Sequence, residues 1–158
     1  AEIGLRLGAD VPGFVRGHAA FGEGVGEKLT PANPPEDWVV VLKPECNIST
    51  GKIFSAEGLT RDTPKIKIRP AFEGDASRYR NDCEDVVRKL YPEVNQSLEW
   101  LSQFGPARLT GTGACIFGRF PTESAARIIW ESKPSGVTGF VAKGVNISPL
   151  HKKLTELK

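Results

Sequence analysis

A run of five apolar residues at positions 38–42 (WVVVL) constrains the fold of this chain more than any other feature. β-Branched side chains are stiff and fit extended backbone well. A continuous apolar run of this length is typical of a strand that is buried on both faces. The run is followed by Lys43 and Pro44, where we predict that the strand ends.

Helix and strand signals alternate after this run. Ser49 and Thr50 can cap a short helix that reaches Phe54. Residues 81–84 (NDCE) resemble a capping box, with Asn81 as the N-cap and a glutamate three residues on. Further helices are predicted after this box, from Pro92 and after Thr122, and further strands at 107–110, 115–120 and 139–142.

From residue 38 onward the predicted order is β, α, β, β, α, β, which is the split βαβ or ferredoxin-like order of an α+β domain. The segment 65–69 (KIKIR) alternates like a short edge strand. The tail from His151 is polar and is expected to fray.

The first 35 residues have a different character. Ile3 and Leu7 are four residues apart, as on one helical face, and Gly8 is expected to end that helix. Residues 11–21 are apolar and favour extended backbone, and the glycines of 22–27 (GEGVGE) predict a hairpin turn. Prolines at 31, 34 and 35 predict a linker, so we divide the chain into units 1–35 and 36–158.

Composition narrows the function classes. A formal net charge of +2 over 158 residues is too small to favour nucleic acid or an anionic membrane as the main partner. No apolar run approaches the ~20 residues of a membrane-spanning helix. Three cysteines without a C-x-x-C pair predict reduced thiols and a cytoplasmic location. His18 and His151 have no partner at metal-ligand spacing, so no metal site is predicted.

The first candidate for chemistry is Asp10 in the turn 7–12 (LGADVP). A carboxylate between a glycine and a proline can be held rigidly against a substrate hydroxyl, to orient it or accept its proton in phosphoryl transfer. The alternative is a turn aspartate that accepts hydrogen bonds from nearby backbone amides.

The second candidate is the loop 109–115 (LTGTGAC). Its small residues, Gly111, Thr112, Gly113 and Ala114, leave backbone N–H groups uncovered for an anion. A tight β-turn with glycines at positive φ explains the same residues. The glycines of 22–27 lack the G-x-x-x-x-G-K-[ST] phosphate-binding pattern, and a hairpin explains them better.

The third candidate is Phe54, which follows Thr50 on the short predicted helix. An aromatic side chain there can stack on a nucleobase. The alternative is a phenylalanine of the hydrophobic core.

Five motifs together carry a resemblance that no single one supports. They are 8–12 (GADVP), 17–27 (GHAAFGEGVGE), 81–84 (NDCE), 109–115 (LTGTGAC) and 139–146 (GFVAKGVN). In combination they closely resemble the GHMP kinase superfamily, and within it the kinases of 4-diphosphocytidyl-2-C-methyl-D-erythritol. The resemblance extends over nearly the whole chain.

This resemblance implies a GHMP-kinase-type C-terminal domain preceded by the last elements of the N-terminal domain. It implies transfer of a phosphoryl group from ATP, with Mg²⁺, to the 2-hydroxyl of the substrate in the non-mevalonate route to isoprenoid precursors. Asp10 falls on the family's catalytic aspartate, and residues 111–114 fall on a glycine loop beside the active cleft. Phe54 falls on an aromatic that packs against the cytosine, with Thr50 in the same wall.

The family pattern also includes a glycine-rich ATP loop, a catalytic lysine and a second cytosine-binding aromatic before the aspartate. These 158 residues contain no counterpart of them. We therefore expect the chain to be the C-terminal part of a longer kinase and to be inactive alone. The alternatives are a cytidine-nucleotide-binding module without catalysis and an inactive relative of the superfamily.

Overall fold

The computed structural model of the chain describes residues 2–64 and 80–157. Its first part consists of two short helices and a hairpin: α1 (Glu2–Leu7), α2 (Val11–Arg16), β1 (Ala20–Glu23) and β2 (Lys28–Pro31). The predicted helix up to Leu7 is confirmed, and so is the hairpin, in which Ala20 pairs with Pro31 and Glu23 with Lys28.

The extended backbone predicted for residues 11–21 is wrong at its start, because residues 11–16 form α2. Pro12 lies in the first turn of this helix, where its missing N–H costs nothing. Gly17 ends the helix in the left-handed conformation at φ 65°, and its N–H donates to the Gly13 carbonyl. These backbone signals at both ends outweigh the β preference of the valines between them.

The second part of the chain forms one four-stranded sheet with helices. The strands are β3 (Trp38–Lys43), β4 (Ala107–Leu109), β5 (Ile116–Phe120) and β6 (Thr138–Lys143). The helices are α3 (Thr50–Phe54), α4 (Glu84–Leu90), α5 (Pro92–Ser102), α6 (Glu123–Glu131) and α7 (Pro149–Glu156). The order across the sheet is β4-β5-β3-β6, and all neighbours are antiparallel. This is the predicted split βαβ, α+β arrangement.

The prediction that β3 is buried on both faces is wrong. Val40 and Leu42 are fully buried, whereas Val39 and Val41 are only half-buried. In this antiparallel sheet the core lies against one face, so alternate residues of the strand are covered. The core consists of apolar residues from β3 to α6: Val40, Leu42, Ile53, Cys83, Val86, Val87, Val94, Leu98, Leu101, Leu109, Ala114, Ile116, Phe120, Ala126 and Ile129.

Two of the three proposed helix caps are correct. Ser49 and Thr122 accept hydrogen bonds from the backbone N–H groups of Lys52 and Ala125. The capping box at 81–84 is wrong, since α4 begins after Cys83 and has no side-chain cap. Asn81 and Glu84 are bonded elsewhere, as described below.

The prediction that the tail from His151 frays is also wrong, because Pro149–Glu156 form α7. Two contacts hold this helix against the end of α2. The Ser148 N–H donates to the Gly17 carbonyl at 2.8 Å, and a ring nitrogen of His151 lies 3.1 Å from the Val15 carbonyl oxygen. The edge strand predicted at 65–69 lies outside the described residues.

None of the helices in residues 2–64 and 80–157 is long and apolar enough to cross a membrane. The three cysteines, Cys46, Cys83 and Cys115, are free thiols. Burial raises the pKa of the Cys46 and Cys83 thiols, so these two favour the protonated, unreactive form.

Candidate functional site

Asp10 lies in the short turn between α1 and α2, at the N-cap position of α2. Its backbone carbonyl accepts from the N–H groups of Gly13 and Phe14, but its carboxylate makes no side-chain cap. The side chain is exposed. The alternative of an aspartate that satisfies nearby backbone amides is therefore wrong, and the carboxylate remains available to a ligand.

A cavity of about 600 Å³ opens beside Asp10. Glycines make up much of its wall, and His18, Asn146 and Ser148 supply polar groups. Gly26 of the hairpin turn, at φ 103°, approaches the Ala9 carbonyl so closely that a Cβ would clash with it. The glycine-rich hairpin therefore packs against the turn that carries Asp10, a contact that the sequence did not reveal.

The loop between β4 and β5 is a tight turn. The Thr110 N–H donates to the Cys115 carbonyl at 2.9 Å, and the Gly113 N–H donates to the Thr110 carbonyl at 2.8 Å. Gly111 and Gly113 have φ of 49° and 88°, so the turn alternative correctly explains the glycines. Within the part of the chain that the structure describes, the N–H groups of Gly111 and Thr112 have no hydrogen-bond acceptor. The turn thus also leaves the donors that an anion would need.

Two residues that sequence reasoning assigned to a capping box hold this loop instead. The Asn81 side-chain amide donates to the carbonyls of Leu109 and Gly111 at 3.1 and 2.6 Å. The Glu84 carboxylate accepts from the Leu109 N–H at 2.9 Å. The motif 81–84 was one of the five on which the family resemblance rests, so the sequence did mark these residues. Its spacing also fits a helix cap, and for that reason their contact with the loop was missed.

The loop contacts the start of α3. The hydroxyl oxygens of Thr50 and Thr112 lie 3.1 Å apart and share a hydrogen bond. Gly113 has a φ of 88°, which side chains other than glycine rarely adopt, and a Cβ there would also lie 2.8 Å from the end of the Ile48 side chain, so glycine is favoured at this approach. The structure therefore brings Thr50 and the residues 111–114 into one cluster, a contact that the sequence did not predict.

Phe54 lies at the other end of α3 with 53% of its surface exposed. The alternative of a core phenylalanine is wrong, since the core residue of this helix is Ile53, with 0% exposed. An exposed ring one helix length from Thr50 is available to stack on a flat ligand.

The candidate residues form two groups. Asp10 lines the cavity between α2 and the hairpin, and that cavity is lined neither by Thr50 and Phe54 nor by the loop 111–114. The second group surrounds α3 and the β4–β5 loop. No described cavity contains both groups.

Comparison with known families identifies the region that carries the β4–β5 loop. Residues 67–132 match the family model described as GHMP kinases C terminal. The matched region has the α+β fold of a GHMP kinase C-terminal domain. This GHMP domain includes α4, α5, β4, the glycine loop, β5 and α6.

Individual relatives agree with the family match. Over its whole length the chain is 97% identical to a 4-diphosphocytidyl-2-C-methyl-D-erythritol kinase of Marinobacter nauticus, of which it covers 55%. It is 54% identical to a kinase of the same name from Mannheimia succiniciproducens, over 99% of the chain and 51% of that relative. The chain thus spans about half the length of the curated relatives it matches.

The fold agrees as well. A crystal structure of a 4-(cytidine 5'-diphospho)-2C-methyl-D-erythritol kinase superposes on this chain with a TM-score of 0.73. The match has 26% sequence identity and covers 88% of this chain and 53% of the other.

Proposed function

We propose that this chain is the substrate-side part of a kinase that phosphorylates the 2-hydroxyl of 4-diphosphocytidyl-2-C-methyl-D-erythritol with ATP. The substrate class is supported by the names of relatives that are 54–97% identical to the chain. The observation that carries the chemistry is the carboxylate of Asp10, which has no partner among the described residues and lies on the wall of the 600 Å³ cavity. In the proposed arrangement, residues 1–35 belong to an N-terminal domain and residues 36–158 form the C-terminal domain.

In this proposal Asp10 orients the attacking hydroxyl and accepts its proton as the phosphoryl group is transferred. A general base of this kind must reach the hydroxyl within hydrogen-bond distance, and the absence of a competing internal bond leaves the carboxylate free to do so. Phosphoryl transfer relies mostly on positioning and charge stabilisation, which this proposal assigns to two separate groups: Asp10 positions the hydroxyl, and the backbone donors of the β4–β5 loop stabilise charge.

The residues present are compatible with ATP and Mg²⁺. The uncommitted N–H groups of Gly111 and Thr112 are donors suited to phosphate oxygens. Mg²⁺ at such sites is commonly held by substrate phosphates and water with few protein ligands, and in this proposal the phosphates of the nucleotide would hold the ion while Asp10 serves the hydroxyl. Bound Mg²⁺ would neutralise charge on the transferred phosphoryl group.

The cytidine end of the substrate is assigned to α3. The exposed Phe54 ring would stack on the base, and the Thr50 hydroxyl, already linked to Thr112, would form the adjoining wall. We place the protein in the cytoplasm, because its three free thiols suit a reducing compartment.

The test is a chimera in which this chain replaces the matching segment of the Marinobacter nauticus relative. ADP release with the cytidyl substrate is measured for the chimera and for its Asp10→Asn variant. We expect an active chimera and a kcat lower by about 10²–10⁴-fold in the variant, the usual contribution of a general base.

The matched control is Asp85→Asn, which makes the same change at a carboxylate with 69% of its side chain exposed and only a 4.0 Å contact to Arg80. Its kcat should equal that of the chimera. An inactive chimera, or an Asp10→Asn variant with full activity, would contradict the proposal. We expect the 158-residue chain alone to release no ADP, since it lacks the family's ATP loop and lysine.

A second candidate function is a cytidine-nucleotide-binding module without catalysis, favoured by the 53% exposure of Phe54. Calorimetric titration of the chain with CMP would show weak binding that Phe54→Ala abolishes. Phe140→Ala, at a phenylalanine with 56% exposure on β6, is the matched control and should bind like the unchanged chain. Equal heats for all three proteins would exclude stacking on Phe54.

A further inference from the structure

We infer that Asn81, supported by Glu84, is a positioning residue. It fixes the backbone conformation of the glycine loop (residues 111–114) and of Thr110 before it, so that the loop can bind its ligand. The inference rests on the proposed function, because that function gives the loop its ligand. Asn81 is half-buried just before α4, and every polar group of its side chain is used. It contacts the loop and holds it from outside the turn.

The three hydrogen bonds of the Asn81 side chain show which donors and acceptors a residue at this position must supply. Its Nδ2 donates to the carbonyls of Leu109 and Gly111, and its Oδ1 accepts from the Cys83 N–H at 3.0 Å. A side-chain amide supplies two donor hydrogens and an acceptor in one plane, whereas a carboxylate of the same shape supplies acceptors only. The bonded carbonyls lie on both sides of Thr110, so the amide fixes the direction in which the chain enters the turn.

Glu84 holds the strand that leads into the loop. β4 is an edge strand that pairs only with β5 among the described strands, and edge strands leave backbone groups without ladder partners. The Leu109 N–H is satisfied by the Glu84 carboxylate at 2.9 Å. Asn81 and Glu84 therefore bind the carbonyl and the N–H of the same residue, which is the last of β4.

The bonds of Asn81 and Glu84 to Leu109 determine which polar groups of the loop face a ligand. Beyond it, the Thr112 hydroxyl meets that of Thr50, and the N–H groups of Gly111 and Thr112 stay uncommitted within the described chain. A turn with two glycines has many accessible conformations, so its geometry must be imposed by its neighbours. The amide of Asn81 supplies that constraint from one side and Thr50 from the other.

The decisive variant is Asn81→Asp, which keeps the size and the acceptor for Cys83 but replaces both donors to the loop with oxygen. In ¹⁵N-resolved NMR spectra of the chain, we expect the amide signals of residues 110–114 to shift or broaden, while those of α5 stay in place. Gln96→Glu, the same amide-to-acid change at an exposed residue of α5 without a described partner, should leave the loop signals unchanged.

Kinetics in the chimera separate positioning from general folding. We expect Asn81→Asp to lower kcat by about 10–100-fold, the cost of misplacing groups around the reacting atoms, with the KM for the cytidyl substrate nearly unchanged. Asn81→Asp with unchanged loop signals and full kcat would overturn the inference. An inactive parent chimera would instead refute the proposed function, and the NMR comparison would still decide whether Asn81 fixes the loop.

If Asn81→Asp does not fold, Glu84 provides the second measurement. Glu84→Gln keeps an oxygen acceptor for the Leu109 N–H and should retain the loop signals, whereas Glu84→Ala should displace them. Identical loop spectra for these two variants would contradict the attachment.

Discussion

The helix–hairpin unit (residues 2–31) and the sheet domain (residues 38–143) are built on different principles. Among the described residues, all fifteen buried hydrophobic ones lie between positions 40 and 129, within the sheet domain. In the helix–hairpin unit several large apolar side chains are exposed instead, with Ile3 and Leu7 at 79% and Phe14 at 82%. The sheet domain therefore has its own core, and the helix–hairpin unit has none among the described residues.

What holds the helix–hairpin unit is backbone geometry. Gly17 and Gly26 allow close approaches to His151 and Ala9, and backbone bonds connect Ala19 to Asn146 and Ser148 to Gly17. Such contacts fix direction but bury little apolar area, so they contribute less to global stability than a core. It follows that the candidate base, Asp10, lies in the less stable helix–hairpin unit, whereas the glycine loop lies in the more stable sheet domain.

The largest expected effect compares one substitution in both regions. Leu42 is 0% exposed at the centre of the sheet domain, so Leu42→Ala should lower the free energy of unfolding by about 2–5 kcal/mol. Leu7→Ala removes the same atoms from a side chain that is 79% exposed. It should change the free energy of unfolding by less than about 0.5 kcal/mol. Urea denaturation measures both. A comparable loss at Leu7 would break the comparison by showing that the helix–hairpin unit is as well packed as the sheet domain.

A pair of glycines sharpens the account of the helix–hairpin unit. Gly17 has φ 65° and a Cβ there would overlap the His151 ring, so Gly17→Ala should destabilise the protein by about 1–3 kcal/mol. Gly13 lies inside α2 with no atom near its missing Cβ, so Gly13→Ala should stabilise this helix by up to about 1 kcal/mol. Hydrogen exchange of the α2 amides reports both effects, and the same sign for both variants would count against backbone geometry as the cause.

The junction between the two regions is expected to give a smaller effect. The Asn146 side chain donates to Asn33 Oδ1 at 2.7 Å and to the Pro34 carbonyl at 3.0 Å. Asn146→Ala should therefore cost about 1 kcal/mol and speed the exchange of the Ala19 and Ser148 amides. Asn47→Ala, at an exposed asparagine with no described partner, is the control. Unchanged exchange at both amides would mean that Asn146 does not join the regions.

The smallest effect concerns the hairpin turn and pH. The backbone N–H groups of Glu27 and Val25 lower the pKa of the Glu27 carboxyl, whose Oε2 lies 2.7 Å from the Val25 nitrogen. A lowered folded-state pKa means that this contribution is complete above the ordinary glutamate pKa and is lost as the pH falls through the lowered one. The Val25 amide shift should follow this titration, and the effect should vanish in Glu27→Gln. A midpoint at or above the ordinary value would contradict it.

Local patterns predicted most of the sheet domain. We could predict the strand β3 from its β-branched run, the caps at Ser49 and Thr122, and the order of elements in this domain. Each of these depends on a few neighbouring residues. The errors arose where distant groups compete for the same atoms. Asn81 and Glu84 have the spacing of a capping box, but Leu109 and Gly111 lie close enough to take their hydrogen bonds. The tail helix α7 contacts α2, a partner far away in sequence that local patterns could not reveal.

The candidate site divides in the same way. By itself the sequence determined which residues are chemically competent, since an aspartate, small loop residues and an aromatic are recognisable from their types and spacing. It also determined the order of strands and helices in the sheet domain, but not the helices α2 and α7. Only the tertiary structure decided that the Asp10 carboxylate is unpartnered, that Phe54 is outside the core, and that Thr50 meets Thr112. Which groups are buried, bonded or free depends on residues tens of positions apart, and these are brought together only when the sheet closes over its core.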